Sequence, residues 1–124
     1  MKSQRIRTEL ARMALQPGLE GCALVDAGTG LVWHASGFSA SDERVWEAAI
    51  DYWRLYERQK VQFTGLGPLG AAAMYHTAGM LVVLPCCTDP DVLLVLHGRH
   101  RSVDWIALQR MARALGELLQ SPDQ

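Results

Sequence analysis

The segment Ser41-Asp-Glu-Arg-Val-Trp-Glu-Ala-Ala-Ile-Asp-Tyr-Trp-Arg-Leu-Tyr-Glu-Arg-Gln59 constrains the fold more than any other stretch, because it reads as a helix with more apolar surface than one small core needs. At about 100° per residue, with Val45 at zero, the apolar residues Leu55, Ala48, Tyr52, Val45, Tyr56, Ala49, Trp53, Trp46 and Ile50 cover an arc of roughly 220°. Glu47, Asp51, Arg54 and Arg58 form the polar stripe. A surface helix of a globular domain usually carries an apolar stripe a little over about 100° wide. The excess predicts packing on two sides, one against the chain's own core and the other against a partner.

The other elements follow from periodicity and turn chemistry. Residues Ser3 to Leu15 read as a first helix with Ile6, Leu10, Met13 and Ala14 on one stripe, stopped by Gln16-Pro17-Gly18. Gly21 to Asp26 and Leu31 to Ser36 are apolar runs on either side of Ala27-Gly-Thr-Gly30, the pattern of a hairpin. Ser41 is the expected N-cap of the central helix, with Asp42 and Glu43 suiting its positive end. Lys60 to Gly70 reads as a loop, since three glycines and Pro68 outweigh the strand-like alternation of Val61 and Phe63. Ala71 to Thr77 and Met80 to Pro85 flank Ala78-Gly79 as a second hairpin, and Cys86 to Asp91 reads as a turn. Val92 to His97 does not alternate, which predicts a central strand covered on both faces. Ser102 is the expected cap of a last helix, with Asp104 in its first turn and Trp105, Leu108, Met111, Ala112, Leu115, Leu118 and Leu119 on one stripe. The order is α-β-β-α-β-β-β-α. Strands that cluster in hairpins predict an α+β sandwich: a five-stranded antiparallel sheet with helices on both faces.

Composition narrows the function classes. With 124 residues, 49% of them hydrophobic, residues 1–124 are expected to form one domain around one core. A net charge of -1 provides no global field for nucleic acid or anionic lipid, so any charge-based recognition must be local; nucleic acid is not an expected partner and membrane insertion is not expected. The longest apolar run, Met80 to Pro85, is far below the roughly 20 residues of a membrane-spanning helix. The opening Met-Lys-Ser-Gln-Arg-Ile-Arg lacks the apolar centre of a signal peptide, and three cysteines without regular spacing are no disulfide framework; both point to the cytoplasm.

The element order, the hairpin Gly21 to Gly37, the strand Met80-Leu-Val-Val-Leu-Pro, the Asp-Pro-Asp turn and Val92-Leu-Leu-Val-Leu together resemble the Roadblock/dynein-light-chain family over nearly the whole chain. The resemblance implies a profilin/Roadblock-like sandwich and a non-catalytic module that forms homodimers or heterodimers. In that family the long second helix lies against its mate's, and the following strand pairs across the two-fold. Bacterial members act as adaptors or regulators of small Ras-like GTPases, and others scaffold motor or signalling assemblies. The long Gly/Pro stretch at 60–70 and the aromatics of the central helix depart from the family pattern.

These readings meet at the central helix. Trp46, Ile50 and Trp53 lie on one flank, between about 80° and 140° on the same wheel. They face either the chain's own sheet or a mate, and the mate is the expectation: Trp46, Ala49, Ile50 and Trp53, with Ala72 and Met74 of the alanine-rich strand, form the expected dimer interface. The small residues of that strand suit either close approach of a helix or an edge that pairs with its own copy. The basic edge of the first helix, including Arg5 and Arg12, and the run Arg99-His100-Arg101-Ser102 ahead of a helix N-terminus are candidate contacts to an acidic or anionic partner, or else solvated faces.

No metal or other cofactor is expected, because His34, His76, His97, His100, Cys22, Cys86 and Cys87 show no ligand spacing. Gly28-Thr29-Gly30 joins two strands, whereas phosphate loops open a helix. No nucleophile has a recognisable base and orienter, so an enzyme is not expected. The expected function is a homodimerising scaffold or regulator, with a small Ras-like GTPase as the first partner. The alternative is a small-molecule sensor of the PAS, GAF or profilin-like type, which needs an apolar cavity with a few polar groups.

Overall fold

A computed structural model describes residues 2–37, 43–88, 91–99 and 103–121. The elements are α1 (Lys2–Ala14), β1 (Leu19–Asp26), β2 (Val32–Gly37), α2 (Glu43–Gln59), a 3-10 segment (Lys60–Leu66), β3 (Ala72–Tyr75), β4 (Met80–Thr88), β5 (Asp91–Gly98) and α3 (Trp105–Gln120). The five strands form one antiparallel sheet in the order β2-β1-β5-β4-β3. Helices cover both faces, as the sequence predicts.

The unbroken apolar run Val92 to Leu96 occupies the middle strand, where every one of its side chains is buried on one face of the sheet or the other. Val92, Leu94 and Leu96 join Ile6, Leu10 and Met13 of α1 and Leu108, Leu115 and Leu119 of α3 in one core. Leu93 and Val95 point the other way and meet Trp46, Ala49 and Ile50 of α2. One face therefore carries two helices and the opposite face one. Four strand spacings of ~4.8 Å make a sheet about 19 Å wide, whereas one helix with its side chains spans about 10–12 Å. A single helix cannot cover it, and Leu81, Met74, Ala72 and His97 stay half-buried on the α2 side.

Several local expectations shift. Cys86 to Thr88 continue β4 instead of turning, with a bulge between Pro85 and Cys87 opposite β5, the setting in which a strand tolerates proline. Residues 60–66 wind into a 3-10 segment in place of the expected loop, broken at Phe63 and closed by Gly67 at φ +80°. Asp104 caps α3 in place of the expected Ser102, its Oδ1 accepting from the Ala107 N–H at 3.1 Å. Ser41, Asp42, Pro90 and Ser102 lie outside the described residues. The β1–β2 turn behaves as its sequence suggests: the Asp26 carboxylate accepts from the N–H groups of Gly28 and Thr29 at 2.8 and 2.9 Å, and Gly30 takes φ +79°.

Gly116 lets α3 lie directly on β4, since a Cβ at that position would collide with the Cys86 carbonyl oxygen. The contact sets the depth of the two-helix layer.

Candidate interaction surface

The apolar arc of α2 divides into two stripes, and the sheet takes one of them. Trp46, Ala49 and Ile50 are fully buried within the chain's own second core. Trp53 is half-buried against the same core, between about 40° and 140° on the wheel with the other three. This corrects the expected interface at Trp46, Ala49 and Ile50, because side chains already enclosed by Ala23, Val25, Val83, Leu93 and Val95 have no surface left for a mate; Trp53, half-buried, keeps part of its surface open. Ala72 and Met74, paired with Val83 and Leu81, lie half-buried on the face of the sheet that α2 packs against, and Met74 packs against that core.

The other stripe, Leu55, Ala48, Tyr52, Val45 and Tyr56, runs from about 280° to 20° and is open or half-open. Tyr52 and Leu55 are each 48% exposed. Its signal in the sequence is the pair of tyrosines, whose hydroxyl ends suit a half-wet surface better than a closed core. The buried stripe contains no hydroxyl at all.

What lies beside each flank of α2 gives the surface its direction. The polar side, with Arg44, Glu47, Asp51 and Arg54, borders a cleft of about 500 Å³ against the β1–β2 turn. The open apolar stripe instead borders a groove of about 410 Å³ against the β3–β4 turn, lined by Val45, Ala48, Tyr52, His76, Ala78 and Met80 among others. Apolar surface therefore runs from α2 toward β3. In the sheet order β3 is an edge strand, paired only with β4 among the described residues.

The 3-10 segment joins these parts. Phe63 stacks on Tyr56 with ring centroids 6.3 Å apart and planes 7° from parallel, and Tyr56 meets Trp53 at 5.4 Å. This ladder, with the Lys60–Glu57 ion pair at 2.8 Å, ties the segment to the end of α2. Yet Val61 is 69% exposed and Leu66 84%.

The basic candidates do not converge on one site. Arg12 is exposed and paired with Glu9 at 3.2 Å, Arg99 is exposed and paired with Glu20 at 2.8 Å, and Arg5 is exposed on α1. Arg101 lies outside the described residues, as does His100.

The residues with chemical potential have structural accounts. Cys22 is buried and its Sγ lies 3.4 Å from the Leu10 carbonyl oxygen; burial pushes its pKa up to about 12. Cys86 is also pushed up to about 12, first by burial and then by the neighbouring Cys87. Both stay protonated, while a nucleophile or metal ligand must be a thiolate. The His34 ring nitrogen Nδ1 accepts from Arg7 Nε at 3.4 Å, and burial followed by the Arg7 charge lowers its pKa. Among the described residues no three His, Cys, Asp or Glu side chains are grouped to hold a metal, and no helix is long and apolar enough to cross a membrane.

No family profile and no curated protein matches the sequence. Solved structures do match. A Roadblock/LC7 domain from Streptomyces avermitilis is similar at a TM-score of 0.73 and 14% identity, over 94% of this chain and 92% of its own. The gliding protein MglB of Thermus thermophilus is similar at 0.76 and 14%, over 95% and 90%. MglB of Myxococcus xanthus is similar at 0.71 and 13%, over 94% and 86%. With two helices on one face of a five-stranded antiparallel sheet, one on the other, and these neighbours along nearly its full length, the chain has the Roadblock/LC7 fold.

Proposed function

We propose that the chain is a non-catalytic regulatory or scaffold module that works as a homodimer through the open stripe of α2 and the edge of β3. One observation carries the reading: an apolar helix stripe left open beside the edge strand β3, on the face that a single helix cannot cover. A second copy related by a two-fold axis supplies a matching surface at no cost in new sequence, because each patch meets itself. Pairing β3 with its copy also removes an edge that would otherwise invite uncontrolled association. One solved structure of similar fold, at 16% identity and a TM-score of 0.74, is described as MglB with a tetrameric arrangement, so assembly of copies has a precedent on this fold.

The test is mass in solution. The native chain is expected to sediment as a dimer, and Tyr52→Glu, which places a charge in the centre of the open stripe, is expected to shift it toward monomer without loss of helix signal. A Tyr52→Glu dimer of unchanged affinity would show that this stripe is not the contact.

For the regulated partner, the family resemblance puts a small Ras-like GTPase first. Titrating the dimer with candidate GTPases loaded with GTP or GDP, and following both binding and hydrolysis, checks this separately. A dimer that neither binds them nor changes hydrolysis removes the GTPase from the reading and leaves dimerisation standing.

A further inference from the structure

We propose that the 3-10 segment Lys60–Leu66 of one copy latches into the groove beside α2 and the β3–β4 turn of its mate, so that two arms are exchanged across the dimer. The inference rests on the homodimer reading above and adds to it a further contact, between the arm of one copy and the groove that α2 and the β3–β4 turn form on the other.

It begins from an imbalance of surface. The segment is held in place by the Trp53–Tyr56–Phe63 ladder and by the closing turn at Gly67, whose N–H donates to the Thr64 carbonyl at 3.2 Å. It nevertheless presents Val61, Phe63 and Leu66 to water at 69%, 43% and 84% exposure. An ordered segment that holds Val61 and Leu66 outward and leaves part of the stacked Phe63 ring open is a contact surface waiting for a cover.

The area points the same way. A stable interface hides about 800 Å² on each partner. Tyr52, 48% exposed, offers roughly 70–120 Å² of the ~150–250 Å² that an aromatic carries. Even with Leu55, Ala48 and Val45, one helix stripe and a four-residue strand fall well short. The arm is the nearest apolar supply, joined directly to both elements.

Connectivity then selects the occupant of the groove. The first half of α2 lies beside the His76–Met80 turn, where β3 ends, whereas the end of α2 leads through the arm to Ala72, where β3 begins. The helix therefore runs opposite to β3. Two β3 strands paired about a two-fold axis perpendicular to the sheet are antiparallel, so the start of one lies beside the end of the other. The mate's arm, which feeds the start of its β3, is thereby brought to the end of this β3. That is where the groove of about 410 Å³ opens, with Val45, Ala48, Tyr52 and Leu81 in its apolar wall. By the same symmetry this chain's arm meets the mate's groove.

Two measurements test the latch. The double variant Val61→Asp/Leu66→Asp alters only exposed positions, so the monomer is expected to keep its fold by circular dichroism. Its dimer dissociation constant is expected to rise by about tenfold or more as apolar burial is lost. Independently, Leu66→Cys combined with Ala78→Cys is expected to give covalent dimers with a short bismaleimide, while either single variant gives few. Unchanged affinity in the aspartate variant, or a dimer that fails to cross-link between positions 66 and 78, overturns the latch and leaves the α2 and β3 dimer intact. A native chain that stays monomeric at about 100 μM overturns both.

Discussion

The assignment of the two α2 stripes is most sharply tested at Trp46, which the structure encloses completely among Ala23, Val25, Val83, Leu93 and Val95. Burying an aromatic side chain hides roughly 150–250 Å², and about 25 cal/mol per Å² converts this to about 4–6 kcal/mol. The figure is an upper bound, because the unfolded chain already hides part of the ring, and Trp→Ala truncation in a core usually costs about 3–5 kcal/mol. Against a domain stability of about 5–15 kcal/mol, that is a large share of the whole. To keep association out of the measurement, the substitution is made in the Tyr52→Glu background and unfolding by urea is followed through far-ultraviolet circular dichroism. With a slope of about 2 kcal/mol per molar, the midpoint is expected to fall by roughly 1.5–2.5 M. Trp46→Phe keeps most of the ring and is expected to lose less, so the two variants should rank by the volume removed. A Trp46→Ala chain within about 0.5 kcal/mol of its parent, the range of an ordinary surface change, would mean that Trp46 is not in the core and that the stripes are assigned the wrong way round.

Gly116→Ala carries a test of sign. On a free helix alanine is favoured over glycine by about 1 kcal/mol, but here the added Cβ meets the Cys86 carbonyl, and overpacking of this kind costs about 1–3 kcal/mol. A lower melting temperature supports the close approach of α3 to β4, and a higher one refutes it. The buried thiols predict a basic limb to the stability curve. Cys22 and Cys86 ordinarily titrate at 9.0 and are raised to about 12 in the fold. Below pH 9 both states hold these protons and nothing is lost. Above it the unfolded chain releases protons that the native chain keeps, so stability falls by up to about 1.4 kcal/mol per pH unit for each thiol until pH 12. Cys22→Ala is expected to flatten that limb in urea titrations at pH 8, 9 and 10, and an unchanged slope would refute the assignment.

Much of the architecture is legible in the sequence because it rests on short-range rules. The continuous apolar run at Val92 to Leu96 identifies the middle strand, since no strand with a wet face could carry it. The two hairpins, the three helices and the Asp26-centred turn follow from periodicity and from glycine and aspartate at turn positions. The misreadings share a physical origin. Cys86 to Thr88 read as a turn because Pro90 lies close by in sequence, yet the bulge beside Pro85 lets β4 continue alongside β5. Residues 60–66 wind into a 3-10 segment because an aromatic ladder on α2 supports them, a contact that no local pattern encodes. The depth at which α3 sits on the sheet is invisible as well, since an isolated glycine in a helix pattern does not announce the carbonyl it must clear.

The sequence alone determined that α2 has too much apolar surface for one core, because a helical repeat fixes the angular position of every side chain on its own helix. It could not say which stripe faces inward, since rotating the helix by about a third of a turn exchanges one apolar flank for the other at no local cost. The tertiary structure decided it. The face of the sheet formed by Ala23, Val25, Val83, Leu93 and Val95 is filled by Trp46 and Ile50 around the small Ala49, leaving the tyrosines of the second stripe at the water's edge beside β3.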